Sequence, residues 1–179
     1  FAVRFVGTVP AIKPACAGSA TRRVSVLGTE GTVQREYTRA LIREYAAGCE
    51  VTLVGSADLA ALAEAKLNGE PVADAAIAAE IAPCFVVDGD ARTDTIVLAC
   101  THYPLLRDDI SRLSPWRVAL IDPAPAIARR VVELIGPPQN AAAPAPALAV
   151  FTSGRSPSPF VTAALAAGPA RTRTGPHPR

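Results

Sequence analysis

Residues 95–106 read TIVLACTHYPLL, an apolar run that leads without a spacer into cysteine, threonine and histidine. The run Thr95–Leu98 has the β-branched composition and the length of a buried strand. The following stretch, Leu105–Leu113, predicts a short helix. The pattern therefore predicts a strand, a polar loop and a helix, with Cys100 and His102 at the carboxyl end of the strand.

The same alternation of short apolar runs and helical stretches occurs along the rest of the chain. Further strands are predicted at Val24–Leu27, Glu50–Val54, Arg117–Ile121 and Leu148–Phe151. Helices are predicted from an N-cap at Thr32 to a stop at Gly48, and at Ala57–Leu67, Val72–Ile81, Ala124–Ile135 and Pro159–Ala167. Such alternation predicts an α/β fold with a doubly wound parallel sheet, in which ligands bind at the carboxyl ends of the strands. The loops 28–32 and 100–103 lie at such ends.

The charge and hydropathy of the chain exclude two classes of partner. The formal net charge is +2, and three of the positive charges, Arg171, Arg173 and Arg179, lie in the last residues. The remainder is close to neutral, so we expect no basic face for nucleic acid. No apolar run approaches the roughly 18 residues that span a membrane, so we expect no membrane partner and a cytoplasmic location.

The chain has four cysteines and no spacing that suggests a metal site. Cys16, Cys49, Cys84 and Cys100 form neither a CxxC nor a zinc-finger pattern. We expect the thiols to be reduced, because the chain is not cysteine-dense and shows no signal peptide. The first three have no adjacent acid–base partner and are expected to be structural or incidental.

Cys100 is the cysteine that has acid–base and hydrogen-bonding groups next to it in the sequence. An imidazolium such as that of His102, or a helix N-terminus, favours the thiolate. Thr101 offers a hydroxyl and a backbone N–H to a carboxylate. The alternative is that Cys100 is simply packed, since free cysteines are among the most buried residue types. The local sequence leaves both interpretations open.

The segment Cys-Thr-His-Tyr-Pro-Leu-Leu at 100–106 is similar to the second cysteine motif of glutamate racemases. Weaker similarities to that family follow in the same order as in the family, at Phe5–Ala15, Leu27–Val33, Leu59–Glu64, Ala119–Arg130 and Phe151–Gly154. The resemblance covers most of the chain, and the Cys-Thr-His motif is its most specific part.

The resemblance implies racemisation of glutamate by two cysteines on opposite faces of the substrate, without pyridoxal phosphate, metal or any other cofactor. Cys100 would be one acid/base, and Thr101 and His102 would bind the substrate or tune the thiol. Glu64 would orient His102 or exchange a proton with it, or else be a solvated helix carboxylate. The family's product, D-glutamate, supplies peptidoglycan, and a homodimer is compatible with the resemblance.

The resemblance also implies two pseudo-symmetric domains, the first of them incomplete here. The expected division is 1–9 as the end of the first domain or the hinge and 10–121 as the second domain. Residues 122–167 would return to the first domain, and 168–179 would be a disordered tail. The family's early Cys-Asn-Thr motif is absent, and the chain has no methionine and begins with Phe1. We therefore expect a fragment, a processed product or an incomplete record, and no racemisation by the isolated chain.

Two other functions remain open at this point. A Cys-His thiol hydrolase would use Cys100 as nucleophile and His102 as base. An inactive remnant or a binding module would use neither residue chemically. An acyl intermediate trapped on the thiol would favour the hydrolase, and solvent deuterium at a substrate α-carbon would favour the racemase.

Overall fold

Four of the apolar runs pair into one parallel sheet in this computed structural model, which describes residues 6–136, 147–151, 157–166 and 170–174. The strands are β1 Arg23–Thr29, β2 Glu50–Ser56, β3 Val87–Asp88, β4 Ala91–Arg92, β5 Thr95–Ala99, β6 Ala119–Ile121, β7 Ala147–Phe151 and β8 Ala170–Thr174. The helices are α1 Ile12–Gly18, α2 Glu30–Gln34, α3 Glu36–Tyr45, α4 Leu59–Leu67, α5 Asp74–Ile81, α6 Arg107–Leu113, α7 Ala124–Ile135 and α8 Pro159–Ala166.

The main sheet has the order β2-β1-β5-β6, and every neighbouring pair is parallel. Along the central strand β1, Gly28 pairs with Gly55 of β2 and with Ala99 of β5. The carboxyl ends of these strands therefore meet at one edge. The α/β fold with a parallel, doubly wound sheet is confirmed.

Side chains on alternate strand positions enter two separate cores, one on each face of the sheet. On one face, Ile96 and Leu98 of β5 pack with the helices α4, α5 and α6. On the other face, Val97 of the same strand packs with α1 and the apolar side of α3. Alternation with a period of two sends successive side chains to opposite faces, so helices can cover both.

The helix after β1 begins earlier than the sequence predicts and is broken. Thr29, not Thr32, is the N-cap, and its hydroxyl accepts a hydrogen bond from the Thr32 N–H at 3.3 Å. Arg35 has extended backbone angles that separate α2 from α3. Glycine is required beneath α2, because a Cβ on Gly55 would lie 2.9 Å from the Val33 side chain. The N-cap prediction for Thr32 is therefore wrong by one turn.

Three further elements differ from the sequence prediction. The helix α1 and the hairpin of β3 and β4 were not predicted, because each is too short to show a clear hydrophobic period. Residues Ala170–Thr174, expected to belong to a disordered tail, form β8 and pair in parallel with β7. The other residues of that tail, 168–169 and 175–179, lie outside the described residues. In the part of the chain that is described, no helix has both the length and the apolar content to cross a bilayer.

Asp94 holds the turn before β1 against the start of β5. Its carboxylate accepts hydrogen bonds from the Ser19 and Thr95 hydroxyls at 2.7 and 2.9 Å. It also accepts from the backbone N–H groups of Ala20 and Thr21, at 2.7 and 2.9 Å. Burial opposes ionisation of Asp94, but these hydrogen bonds outweigh it and hold the pKa of the carboxyl below its usual value.

Replacement of Asp94 by Asn is expected to lower the free energy of unfolding by about 2 kcal/mol at pH 7, because charge-assisted hydrogen bonds are lost. A carboxyl whose pKa is lower in the folded than in the unfolded protein stabilises the fold at pH values above its unfolded pKa of about 3.9. This stabilisation is lost as the pH falls through the pKa of the folded state. The difference should therefore shrink below about pH 4. Urea unfolding followed by fluorescence of Trp116, the single tryptophan, measures it. Asp90→Asn, at an exposed position, is the matched control and should change little.

Candidate active site

Cys100 is the first residue after β5 and emerges at the middle of the carboxyl edge, because β5 lies between β1 and β6. The next residues are fixed by their neighbours in the core. Tyr103 and Leu106, the ends of a 3₁₀ turn, are fully buried, and the Tyr103 N–H donates to the Cys100 carbonyl at 3.2 Å. The loop that carries Cys100 is thus anchored on both sides.

A thiol, an imidazole and a carboxylate form a continuous chain at this edge. The Sγ atom of Cys100 lies 3.8 Å from Nδ1 of His102. The other ring nitrogen of His102, Nε2, lies 2.8 Å from Oε1 of Glu64. The structure therefore brings together Cys100, His102 and Glu64, the three residues that the sequence analysis singles out as catalytic candidates.

The orientation of this chain would allow a proton to pass from the Cys100 thiol to His102. When the His102 ring is neutral, the Glu64 carboxylate selects the tautomer with the proton on Nε2, since a carboxylate only accepts hydrogen bonds. The lone pair of Nδ1 then faces the Cys100 thiol and can accept its proton. With a proton on both ring nitrogens, His102 could donate to both neighbours.

Glu64 reaches His102 through the packing of α4. Leu59 and Ala63 of that helix are fully buried against the sheet, which leaves the Glu64 side chain at the edge, 52% exposed. An ion pair between Lys66 of α4 and Asp109 joins the helix to α6. This exposure screens the attraction between Glu64 and His102, so the interaction orients the ring more than it stabilises the fold.

A cavity of about 530 Å³ opens beside the thiol. Its walls come from four parts of the chain: Thr8–Pro10, the junction of α2 and α3, the Ala99–Pro104 loop and the start of α7. Of the four cysteines, Cys100 alone lines it. Thr101 also lies on the wall. His102 is not among the lining residues and reaches the cavity only through Cys100.

Several polar residues of the wall were not predicted as site residues, among them Thr32, Asp122 and Arg35. Thr32 was predicted as a helix cap within the loop 28–32 at the ligand-binding edge, without a role in the site; its hydroxyl lies 2.9 Å from that of Thr29 at the cavity edge. Asp122 follows β6 directly and could have been predicted, because ligand sites form at the carboxyl ends of parallel strands. Its carboxylate also accepts a hydrogen bond from the Ala124 N–H at the start of α7. Arg35 lies at the helix break, which nothing in the sequence indicates.

Cys84 does not line the cavity. It is fully buried in the core beneath α4 and α5, and burial raises the pKa of its thiol to about 12. A thiol in that environment stays protonated near neutral pH and is a poor nucleophile. Its carbonyl oxygen accepts a hydrogen bond from the buried Ser25 hydroxyl at 2.7 Å, which suits a structural role.

Comparison with known proteins gives one family. The family profile described as Asp/Glu/Hydantoin racemase matches residues 5–131. The chain is 55% identical over 152 residues to a protein named glutamate racemase from Agrobacterium fabrum, an alignment that covers 84% of this chain and 56% of that protein. It is 56% identical over 133 residues to the glutamate racemase of Brucella ovis, which covers 74% of this chain and 48% of the relative.

A solved structure resembles the chain over most of its length. The crystal structure of Escherichia coli glutamate racemase, in complex with L-glutamate and the activator UDP-MurNAc-Ala, is similar with a TM-score of 0.75 and 35% sequence identity. That similarity covers 93% of this chain and 63% of the Escherichia coli chain. The chain spans about half the length of the curated relatives that it matches.

Proposed function

The chain belongs to the Asp/Glu/hydantoin racemase family, and from this we propose that its Cys100 site exchanges the α-proton of glutamate in a glutamate racemase. The observation that supports the proposal is the chain of Cys100, His102 and Glu64, with the thiol end open to a cavity. A proton acceptor behind the thiol and a substrate space in front of it are what proton abstraction from carbon requires.

We propose the following sequence of proton transfers. His102 takes the thiol proton of Cys100 through Nδ1, and the thiolate removes the α-proton from one face of glutamate. The carbanion is then protonated on its opposite face, which inverts the configuration. Cys100 serves one face only, and the family's mechanism assigns the second face to another thiol. Cys16, Cys49 and Cys84 do not line the cavity and are not suited to that role.

Polar residues on the wall are proposed to hold the substrate. The hydroxyls of Thr101 and Thr32 can donate to a carboxylate, and Arg35 supplies a positive charge for the second carboxylate of glutamate. A volume of about 530 Å³ accommodates an amino acid with water and lies in the usual range for small-molecule sites. This arrangement favours an acidic substrate over an apolar one.

The wider role is proposed from the family. The product would be D-glutamate for peptidoglycan, made in the cytoplasm without metal or pyridoxal phosphate. A homodimer is compatible with the family. For a glutamate racemase, dialysis against a chelator and treatment with a carbonyl reagent should leave the activity unchanged.

A chimera tests the proposed activity. The aligned region of the Agrobacterium fabrum relative is replaced by the corresponding residues of this chain, and the product is incubated with L-glutamate in D₂O. We expect D-glutamate that carries deuterium at the α-carbon. A folded chimera, checked by circular dichroism, that produces no labelled D-glutamate would contradict the proposal, and an acyl group trapped on Cys100 would favour a thiol hydrolase.

A further inference from the structure

Two other thiols lie next to each other on the opposite face of the sheet from Glu64. Cys16 is in α1, and Cys49 precedes β2 after the turn that ends α3. The Sγ atom of Cys49 lies 3.6 Å from the carbonyl oxygen of Cys16, and both side chains pack in the same core cluster. The fold thus places side by side two cysteines that are 33 residues apart.

The two thiols differ in access. Cys16 is 4% exposed and is packed in the core between α1, α3 and the sheet, whereas Cys49 is half-buried at its margin. A small oxidant in solution therefore reaches Cys49 first. The structure shows both residues as free thiols. The only partner within reach of an oxidised Cys49, among the four cysteines, is Cys16, because Cys84 and Cys100 belong to the other core.

We propose that Cys16 and Cys49 are a redox modification site that forms a reversible intramolecular disulfide with hydrogen peroxide. The Cys49 thiolate attacks one peroxide oxygen, the O–O bond breaks, and Cys49 sulfenic acid and one water are produced. The Cys16 thiol then loses its proton, attacks the Cys49 sulfur and expels the hydroxide, which leaves as a second water. Two thiols are oxidised to one disulfide, and one peroxide is reduced to two waters.

The second step should limit the rate near neutral pH. Burial, followed by the neighbouring Cys49 thiol, raises the pKa of Cys16 to about 11, so little Cys16 thiolate exists at pH 7. The proximity of the two residues compensates in part, since an intramolecular attack has a high effective concentration. Both pH values lie well below that pKa, so the thiolate fraction, and with it the rate of disulfide formation, should rise about 30-fold from pH 7 to pH 8.5.

The disulfide would tie α1 to the start of β2. Residues Thr8–Pro10, which lead into α1, line the cavity beside Cys100, so the bond would also fix one wall of the site. A cross-link of this loop length restricts the unfolded chain, and we expect the midpoint of thermal unfolding to rise by about 5–10 °C.

The test uses the 179-residue chain with Cys100→Ser, so that the cavity thiol does not consume peroxide. After a stoichiometric dose of hydrogen peroxide, thiols are counted in denaturant and the digest is analysed by mass spectrometry. We expect the count to fall from three to one, a peptide that joins Cys16 to Cys49, and reversal by dithiothreitol. Cys49→Ser should abolish the linked peptide and the thermal shift, and Cys84→Ala should retain both.

Cys16→Ala is the second test variant, because it removes the buried partner without placing a hydroxyl in the core. It too should lose the linked peptide and the thermal shift. A sulfinic acid on Cys49 with Cys16 still free would overturn the proposal, as would a disulfide between two chains or a linked peptide that involves Cys84.

Discussion

Cys100→Ser in the chimera is expected to lower kcat for racemisation at least about 10³-fold in both directions, within the range for loss of a proton-transfer group. Serine keeps the size and the position of the side chain, so the substrate cavity is retained. The hydroxyl proton, however, is far harder to remove than a thiol proton, and His102 cannot generate an alkoxide at neutral pH. The loss should therefore appear in kcat while substrate binding is kept.

Chiral chromatography of the product and deuterium content at the α-carbon measure this loss. Cys49→Ser is the matched control, because it makes the same chemical change at a thiol outside the cavity. It should alter kcat by less than about twofold, as is usual for substitutions away from the reacting groups. A Cys100→Ser chimera with most of its activity would show that the thiol is not the proton acceptor.

His102→Gln in the 179-residue chain is expected to slow alkylation of Cys100 by iodoacetamide at least about tenfold at pH 7, because general-base assistance is lost. The thiol must lose its proton for the sulfur to attack, and the neighbouring imidazole nitrogen can accept that proton. Glutamine keeps a polar side chain of similar length but does not accept the thiol proton. Without the acceptor 3.8 Å from Sγ, the thiol should react as an ordinary one.

Glu64→Gln should have a much smaller effect on the same reaction, about two- to fivefold. The Glu64 and His102 side chains are 52% and 38% exposed, and solvent limits such pairs to about 1 kcal/mol or less. Glu64 contributes by orienting the His102 ring, and the side-chain oxygen of a glutamine can in part replace it. This contrast separates a proton acceptor from a positioning residue.

Mass spectrometry of the peptide that contains Cys100 distinguishes its alkylation from that of the other cysteines. Glu70→Gln, an exposed carboxylate just beyond α4, is the control for general charge effects and should leave the rate unchanged. Two results would contradict the proposed chain of residues: wild-type reactivity in His102→Gln, or equal losses in Glu64→Gln and His102→Gln.

The sequence by itself determined the strands of the main sheet and the position of Cys100, Thr101 and His102 at the end of β5. These features are local. An apolar run of strand length forms a buried strand wherever it is packed, and residues that adjoin it in the chain must emerge at its end. The Cys100–His102 contact is also local, since one residue separates the two, and the structure gives it a distance of 3.8 Å.

Only the tertiary structure decided the contact of Glu64 with His102 and the composition of the cavity wall. Glu64 contacts the His102 ring because α4 packs over the sheet and is joined to α6 by an ion pair. Neither the strand order nor that packing can be obtained from a helix pattern alone. Arg35 enters the wall through a helix break, and Cys16 meets Cys49 through α1. Contacts between distant parts of a chain depend on how whole elements pack, whereas sequence patterns report the preferences of a few neighbouring residues.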